Sequence, residues 1–382
     1  IDVVLQAVKD SMKNNQFDAA IGQLKALLED APEAYEAWYF LGVCHRYGQS
    51  FDDSLDALAR CLSLRPDFGR AHQERGHVFL ARGETEQAVK AYLDAVRRND
   101  SLVASWRQLV SLAKTLGDSG LLADASEQFA KLSQLPPALL GVRNFLAEGK
   151  LLKAEQLCRQ FLKAHPKHVE GMRLLADIGV KLSILDDAEF LLESALLFEP
   201  DNQFARFDYI NVLHQRQKYA KSLEQAKLLY ASAPSSDRYK TALANQLVAI
   251  GDFPEALRYY DEIAQQQPGS SPIQLLRGHA LKTIGQLPDA VNAYQAAYRV
   301  RPSYGDAYWS LANLKTYRFT DAEIETMAQQ ESTTSTPMDD RIHFCFALGK
   351  AYEDRAQFDL SADYYGRGNE LKRVDTAYDA NR

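Results

Sequence analysis

The sequence lacks the features that would place it in a membrane or give it chemistry of its own. No apolar run approaches the roughly 20 residues needed to cross a bilayer. There is no GxxxxGK followed by Ser or Thr, no GxGxxG after a strand, no HExxH and no GxSxG. The closest histidine pairs, His72 with His77 and His165 with His168, lack the spacing of a metal site. We therefore expect no membrane span, no cofactor and no catalytic activity in this chain.

The sequence also contains few cysteines and fewer basic than acidic residues. Lys and Arg number 44 against 51 Asp and Glu, a net charge of −7, which disfavours a general nucleic-acid surface but leaves local basic patches open. The four cysteines lie far apart and form no CxxC pair: Cys44, Cys61, Cys158 and Cys345. We interpret them as buried, reduced thiols of a cytoplasmic protein rather than as disulfides.

What the sequence does contain is a repeat of 34 residues. Prolines recur at this interval, apart from one step of 100 residues that is two short of three intervals: Pro32, Pro66, Pro166, Pro200, Pro234, Pro268 and Pro302. Small residues stand at position 20 of the units: Ala20, Ser54, Ala88, Ala154, Ala188, Ser222, Ala256 and Ala290. Together with the abundance of Ala, Leu and Gln, this predicts one all-α repeat array rather than several separate domains.

The segment Ala37 to His45 (AWYFLGVCH) carries a W-x-x-L-G pattern, and with the spacing it resembles the tetratricopeptide repeat over nearly the whole chain. The resemblance implies a right-handed superhelical solenoid of helix-turn-helix units with a concave groove. Glycines at or beside position 15, from Gly48 to Gly285, are expected to allow the turn between the two helices. Small residues near positions 8 and 20 are expected to let these helices approach closely.

The repeat divides the chain into three regions. Residues 1–304 hold about nine units, framed as 1–34, 35–68, 69–102, a short 103–134, 135–168, 169–202, 203–236, 237–270 and 271–304. Residues 305–341 are expected to form a degenerate repeat without its second helix, then a short helix with a capping box at Thr320 and Glu323, then a flexible connector from Glu331 to Asp340. Residues 342–382 contain a last repeat-like hairpin.

In arrays of this kind, positions 2, 5, 9 and 12 of the first helix face the groove. Position 9 of four successive units holds Asn211, Asn245, His279 and Asn313. An Asn amide can bond both an N–H and a C=O of a peptide backbone, and no packing reason for Asn to recur on one face is evident. We predict a ladder that holds an extended peptide with little regard to its sequence; the alternative is a solvated polar face.

Two further sets of side chains stand at groove positions. The basic set is Arg107, Lys114, Arg143 and Arg173. It would attract an acidic segment, unless these residues are only solvated. The aromatic set is Tyr39, Phe207 and Trp309. These rings are candidate binding anchors, although large apolar residues in helical repeats also serve as core.

The stretch Tyr308 to Phe319 (YWSLANLKTYRF) and the hairpin Phe346 to Arg373 resemble the junction in bacterial fusions of a tetratricopeptide array with a sulfotransferase domain. This resemblance implies that the chain recruits or orients a protein substrate for an enzyme domain beyond Arg382. The PRSGT-like phosphate-binding loop of that family does not occur in the chain, so no catalytic residue is assigned.

Two other functions are compatible with the same repeats. One is a stand-alone adaptor that assembles protein complexes, and the other is the repeat arm of a peptide-modifying glycosyltransferase. The expected partner is in each case a protein or an extended peptide in the groove. Pairing through terminal helices would make the chain a homodimer.

Overall fold

A computed structural model describes residues 1–376, and the regular elements within that range are all α-helices. They form two compact units, Ile1–Pro200 and Asp201–Arg382. Within each unit, most helices joined by short turns pack on each other as hairpins, and most hairpins pack on the next; the step from α8 to α9 is an exception. The predicted all-α solenoid is therefore confirmed.

Each of the frames from 1–34 to 271–304 holds one pair of helices. In the first unit the helices are α1 (Asp2–Lys13), α2 (Phe17–Asp30), α3 (Tyr35–Tyr47), α4 (Phe51–Leu64), α5 (Gly69–Ala81), α6 (Thr85–Arg98), α7 (Val103–Leu116), α8 (Ser119–Ser133), α9 (Pro137–Ala147), α10 (Leu151–Ala164), α11 (Val169–Lys181) and α12 (Leu185–Phe198). In the second unit they are α13 (Gln203–Gln215), α14 (Tyr219–Ser232), α15 (Asp237–Ala249), α16 (Phe253–Gln266), α17 (Ser271–Thr283), α18 (Leu287–Val300), α19 (Gly305–Ala312), α20 (Asp321–Ser332), α21 (Met338–Asp354) and α22 (Phe358–Asp375).

Small residues bring the two helices of a repeat together, as expected. A Cβ on Gly42, at position 8, would lie 2.7 Å from the Leu58 side chain, so the helices could not pack this closely around a larger residue. At position 20, the Ser54 hydroxyl donates to the carbonyl oxygen of Gly42 at 2.6 Å. Ser222 and Ser361 bind the carbonyl of position 8 in their own repeats in the same way. Serine can thus replace alanine here without leaving a buried hydroxyl unpaired.

The turn inside each repeat depends on a left-handed residue at position 15. This residue is a glycine with φ between 70 and 86° at Gly83, Gly117, Gly149, Gly251 and Gly285. Gly48 was expected to do the same and does not: its φ is −78°, and Gln49 is the left-handed residue with φ 60°. A glycine beside position 15 therefore does not mark the turn by itself.

The helix α19 is short, ending at Ala312 after 8 residues, and its packing partner is α21 rather than the helix that follows it. The amide of Gly305 donates to Asp340 Oδ1 at 2.9 Å, and a Cβ on Gly305 would clash with the carbonyl oxygen of Asp340. The buried ring of Tyr308 lies 5.5 Å from Phe344 on α21. The break in the repeat is thus the place where α21 docks.

The capping box predicted at the start of α20 is present, with Thr320 as N-cap and Glu323 as its reciprocal partner. Two tyrosines from outside α20 also use this carboxylate: the hydroxyls of Tyr298 and Tyr317 donate to Glu323 Oε1 at 2.6 and 2.5 Å. Burial opposes the charge of Glu323, but these hydrogen bonds outweigh it and hold the pKa of the carboxyl below its usual value. The cap therefore also fixes α20 to the array.

The connector is shorter than the sequence predicts. Because α20 continues through Ser332 and α21 begins at Met338, only residues 333–337 lie outside helices, and the expected boundary at residue 341 falls inside α21. The limits Glu331 and Asp340 were wrong because both acids are buried and paired. Glu331 is 2% exposed and pairs with Arg341 and Arg367. The flexibility of the remaining five residues stays a prediction.

All four cysteines are buried and free, as the sequence predicts. Burial raises the pKa of the Cys44 thiol to about 11, and that of Cys61, Cys158 and Cys345 to about 12. The thiolate, which is the reactive form, is therefore scarce at neutral pH.

Candidate functional site

A groove of about 520 Å³ lies on the second unit, formed by α13, α15, α16 and α17. Its lining residues are Asn211, His214, Gln215, Asn245, Gln246, Val248, Tyr260, Leu276, His279, Ala280 and Thr283. None of these is Asp, Glu, Lys or Arg. The groove therefore offers amide, imidazole and hydroxyl groups but no formal charge.

Three of the four predicted ladder residues meet in this groove. Asn211, Asn245 and His279 line it from three successive repeats. Asn313 does not, because α19 ends early and Asn313 becomes its C-cap residue. The ladder of the second unit is thus three residues long.

A buried tyrosine lies behind each of two ladder residues. The hydroxyl of Tyr260 donates to Asn245 Oδ1 at 2.7 Å, and the hydroxyl of Tyr294 lies 3.0 Å from His279 Nδ1. Both tyrosines stand at position 24 of their repeat and are at most 1% exposed. Gly278 makes room for the second ring, since a Cβ there would lie 2.5 Å from Tyr294.

The first unit contains the same pairing of a position-9 residue with a buried tyrosine, away from the groove of the second unit. His77 Nδ1 lies 2.7 Å from the Tyr92 hydroxyl, and Gly76 provides the space for that ring. The expectation that Asn has no packing reason to recur was therefore wrong for Asn245, which completes the hydrogen bonding of a buried tyrosine. The coincidence of Asn or His at position 9 with Tyr at position 24 was the sequence signal for this pair.

Sequence reasoning also missed Gln246, which is 4% exposed and stands behind the groove. Its Oε1 lies 3.0 Å from both Ser222 Oγ and His214 Nδ1. Ser222 and His214 belong to the preceding repeat, so this amide joins two repeats. A polar residue at position 20 of one repeat, with Gln at position 10 of the next, was the available signal.

The predicted aromatic anchors are engaged with neighbouring side chains. The Arg238 guanidinium lies 4.0 Å from the centre of the Phe207 ring, and the Trp309 ring lies 5.5 Å from Phe346. Tyr39 packs edge-on against Phe68 at 5.2 Å, and burial raises the pKa of its hydroxyl. Each ring is half-buried, which favours a packing role at these three positions.

Tyr39 lines a second cavity, of about 320 Å³, that lies within the first unit. Its lining residues are Asp2, Leu5, Gln6, Lys9, Glu36, Tyr39, Phe40, Phe68, Arg70, Phe145, Glu148, Lys150 and Lys153. The lining combines aromatic rings with charged groups of both signs. The residues from Asp2 to Arg70 belong to the first three repeats, and the rest to the repeat at 135–168.

Ion pairs at this cavity join repeats that are not neighbours in the sequence. Lys150 Nζ lies 2.6 Å from Glu36 and 2.8 Å from Glu148, and Arg70 Nε lies 2.6 Å from Glu148. The carbonyl oxygen of Glu148 also accepts from Arg65 at 2.8 Å. Stacked repeats normally contact only their neighbours. Here the turn between α9 and α10 covers part of the groove face of the second and third repeats.

The charges of this contact stabilise one another. Burial opposes ionisation of both groups, but the Lys150 ammonium holds the pKa of the Glu36 carboxyl below its usual value. Conversely, Glu148 and Glu36 raise the pKa of Lys150. Both groups are therefore charged across the neutral range.

The predicted basic stretch is partly neutralised by the chain itself. Arg143 lies 2.9 Å from Asp100 and 3.7 Å from Glu170, and Arg173 lies 2.6 Å from Glu170. Arg107 lies over the Phe129 ring at 5.7 Å, and Lys114 is exposed on α7. An acidic ligand would thus have to compete with Asp100 and Glu170 for two of the four predicted cations.

The histidine pairs noted in the sequence have structural roles. His72 Nε2 lies 3.1 Å from the carbonyl oxygen of Pro66, and His168 caps α11 by accepting from the amide of Gly171 at 3.2 Å. Across residues 1–376, no group of three or more His, Cys, Asp or Glu side chains is arranged to hold a metal ion. In the same range, no helix is both long enough and apolar enough to cross a bilayer.

The repeat architecture has a counterpart among known families. The profile of the tetratricopeptide repeat family matches residues 5–67, 45–104, 139–203 and 275–314. These ranges cover more than half of the chain, which therefore belongs to the tetratricopeptide repeat family.

Individual similar proteins match more weakly. Protein O-mannosyl-transferase Tmtc3 of Drosophila melanogaster is 29% identical over 166 residues, which are 39% of this chain and 18% of that protein. The TPR repeat-containing protein YpiA of Bacillus subtilis (strain 168) is 20% identical over 195 residues, or 50% of this chain and 45% of that protein. A solved tetratricopeptide repeat protein from Parabacteroides merdae ATCC 43184 is 15% identical with a TM-score of 0.45, covering 74% of this chain and 98% of that one. The chain spans less than half the length of the two curated relatives.

Proposed function

We propose that the chain is a non-catalytic scaffold that binds an extended segment of a protein in the groove of its second unit. The observation that carries this proposal is the convergence of Asn211, Asn245 and His279, from successive repeats, on one groove without charged side chains. Amide and imidazole groups repeated along a groove suit a peptide backbone, whose hydrogen-bonding groups also repeat.

We further propose that the chain recruits substrate for a sulfotransferase domain in a longer protein. The support is the resemblance of Tyr308 to Phe319 and Phe346 to Arg373 to the junction of such fusions. Tethering a substrate raises its local concentration near an enzyme without any catalytic group in the scaffold. A cytoplasmic location and a homodimer are parts of this proposal that rest on the sequence alone.

A second candidate is the repeat arm of a glycosyltransferase. It is favoured by the match to a protein named as an O-mannosyl-transferase, although the chain covers only 18% of that protein. A stand-alone adaptor is the third. The amino-acid sequence that follows Arg382 in the native protein separates them: a phosphosulfate-binding loop, a glycosyltransferase domain or the end of the protein.

The binding role is tested by selecting phage-displayed random 12-residue peptides on the chain and measuring the affinity of the most enriched one. We expect the triple variant N211A/N245A/H279A to lose at least about ten-fold in affinity, because three hydrogen-bonding groups leave the groove. His77→Ala is the matched control, since it removes the same kind of tyrosine partner in the first unit. Equal binding to the triple variant and the parent, with unchanged helicity by circular dichroism, would exclude this groove as the site.

A further inference from the structure

The tyrosines at position 24 do more than pack behind the groove, because each occupies one particular atom of a ladder residue. Tyr260 donates to Asn245 Oδ1, so the amide nitrogen Nδ2 is the part of Asn245 that has no partner within the described residues. A turned amide would present Nδ2 to the Tyr260 oxygen and leave the buried hydroxyl proton without an acceptor in the described part of the chain, which costs free energy. Asn245 is therefore fixed as a donor toward a ligand.

The imidazole of His279 is set in the same way. Loss of hydration lowers the pKa of His279, with Lys282 acting in the same direction and Asp306 against it, so the ring is neutral at pH 7. The buried Tyr294 hydroxyl has no other acceptor within the described residues, so its proton is satisfied only if it donates to Nδ1, and a neutral ring then carries its own proton on Nε2. His279 then also presents a donor.

We infer that the groove of the second unit binds its ligand by donating hydrogen bonds from Asn245 and His279 to backbone carbonyl oxygens of an uncharged, extended peptide segment. This inference rests on the proposed function and specifies its chemistry. It differs from a ladder of amides that each bond one N–H and one C=O, since Tyr260 and Tyr294 already use the acceptor atoms. Asn211 has Ala226 at position 24 and keeps both groups.

The spacing of the donors fits an extended chain. Adjacent packed helices lie about 8–10 Å apart, and an extended peptide in the polyproline II conformation rises about 3.1 Å per residue with about three residues per turn, so that every third carbonyl points the same way. Successive donors would therefore meet about every third carbonyl. Because the lining has no formal charge, we expect affinity to change less than about two-fold between 50 and 500 mM salt.

The chemical test uses the selected 12-residue peptide in two series. In one, each backbone N–H is replaced in turn by N–CH₃, which removes a donor from the peptide and keeps the carbonyl acceptor. In the other, each amide is replaced by an ester, which removes the same N–H and also weakens the carbonyl as an acceptor. We expect positions about three residues apart where the ester weakens binding about 3- to 10-fold and N-methylation does not.

The tyrosines are tested by Tyr260→Phe and Tyr294→Phe, which keep the ring and remove the hydroxyl. Each should weaken the peptide about 3- to 10-fold because the ladder residue loses its fixed orientation. Tyr92→Phe is the matched control: it removes the same hydrogen bond from His77 in the first unit and should leave affinity unchanged. An equal effect of all three variants would indicate general destabilisation and overturn the inference.

A third measurement needs no ligand. The ¹⁵N chemical shifts of His279 in the intact chain report its tautomer, and we expect the proton on Nε2 in the parent and a mixture in Tyr294→Phe. A proton on Nδ1 would overturn the inference even if peptides bind. Loss of binding on N-methylation at the ladder positions would overturn it too, while leaving the peptide-binding role intact. Failure of any peptide to enrich, with the Nε2 tautomer present, would count against the proposed function instead.

Discussion

The cavity of the first unit and the groove of the second are both lined mainly by the first helices of the repeats, yet their chemistry differs. Asp2, Lys9, Glu36, Arg70, Glu148, Lys150 and Lys153 line the cavity, whereas the groove is lined by amides, imidazoles and apolar groups. In the cavity Glu36, Arg70, Glu148 and Lys150 form ion pairs, two of which join repeats that are not neighbours. In the groove, Asn245 and His279 are each held by a tyrosine of their own repeat.

The comparison shows that a groove position is not by itself a binding position. Glu36 and Arg70 both stand at position 2, where a ligand contact is expected, and both are used to hold the α9–α10 turn. The half-buried pairs also make this part of the first unit dependent on charge. In the groove of the second unit the hydrogen bonds join uncharged groups, so ligand binding there depends on how the side chains are oriented rather than on charge.

The largest effect should come from reversing the central charge of the first unit. Lys150→Glu would place three carboxylates together, and breaking a buried pair costs about 3–5 kcal/mol. Because Lys150 is 26% exposed, we expect about 2–3 kcal/mol. Hydrogen exchange of amides 144–154 measures the free energy of local opening.

The rescue sharpens this result. Adding Glu36→Lys to Lys150→Glu restores an opposite-charge pair and should recover part of the loss. Lys131→Glu is the control, since it alters an exposed pair with Glu127 on α8. If amides 144–154 exchange as slowly in Lys150→Glu as in the parent, the ion pairs do not hold the α9–α10 turn in place.

A smaller effect should come from adding one methyl group beside the tyrosines. Gly278→Ala and Gly76→Ala each force a Cβ to within 2.5 or 2.6 Å of a tyrosine ring. Overpacking of this kind costs about 1–3 kcal/mol. Both variants should lose stability within their own unit, as measured by hydrogen exchange, but only Gly278→Ala should also weaken peptide binding. Equal loss of peptide binding in both variants would contradict the conclusion that only the groove of the second unit binds the peptide.

The smallest effect should appear on changing the pH. The pKa of His279 is lowered from 6.5 in the folded protein. The neutral ring therefore contributes fully to the stability of the groove above pH 6.5, and this contribution is lost as the pH falls through the pKa of the folded state. Peptide affinity should therefore hold from pH 8 to 6.5 and decline below that range, because a protonated Nδ1 no longer accepts from the Tyr294 hydroxyl and the ring loses its fixed orientation.

The ion pairs of the first unit should respond in a different window. The pKa of Glu36 is lowered from 4.5, so its contribution is present above pH 4.5 and lost below it. The pKa of Lys150 is raised from 10.5, so its contribution is present below pH 10.5 and lost above it. Protection of amides 144–154 that followed the same pH curve as peptide affinity would contradict this separation.

The amino-acid sequence alone was enough to predict the 34-residue period, the helix pairs from α1 to α18, the buried cysteines and the capping box of α20. These features depend on residues close in the chain or on a pattern repeated many times, so a single sequence carries them. The pairing of Asn245 with Tyr260 could also have been predicted from the sequence, because the two residues lie 15 positions apart within one repeat.

Which groove residues are available to a ligand depends on contacts between distant parts of the chain. Lys150 and Glu36 lie 114 residues apart, and their meeting depends on small rotations summed over several repeats, which no local pattern specifies. The same holds for Arg143 with Asp100, and for Glu331 with Arg367. Charged side chains that a sequence presents as solvated can be paired through the fold, because ion pairs require proximity in space and not in sequence.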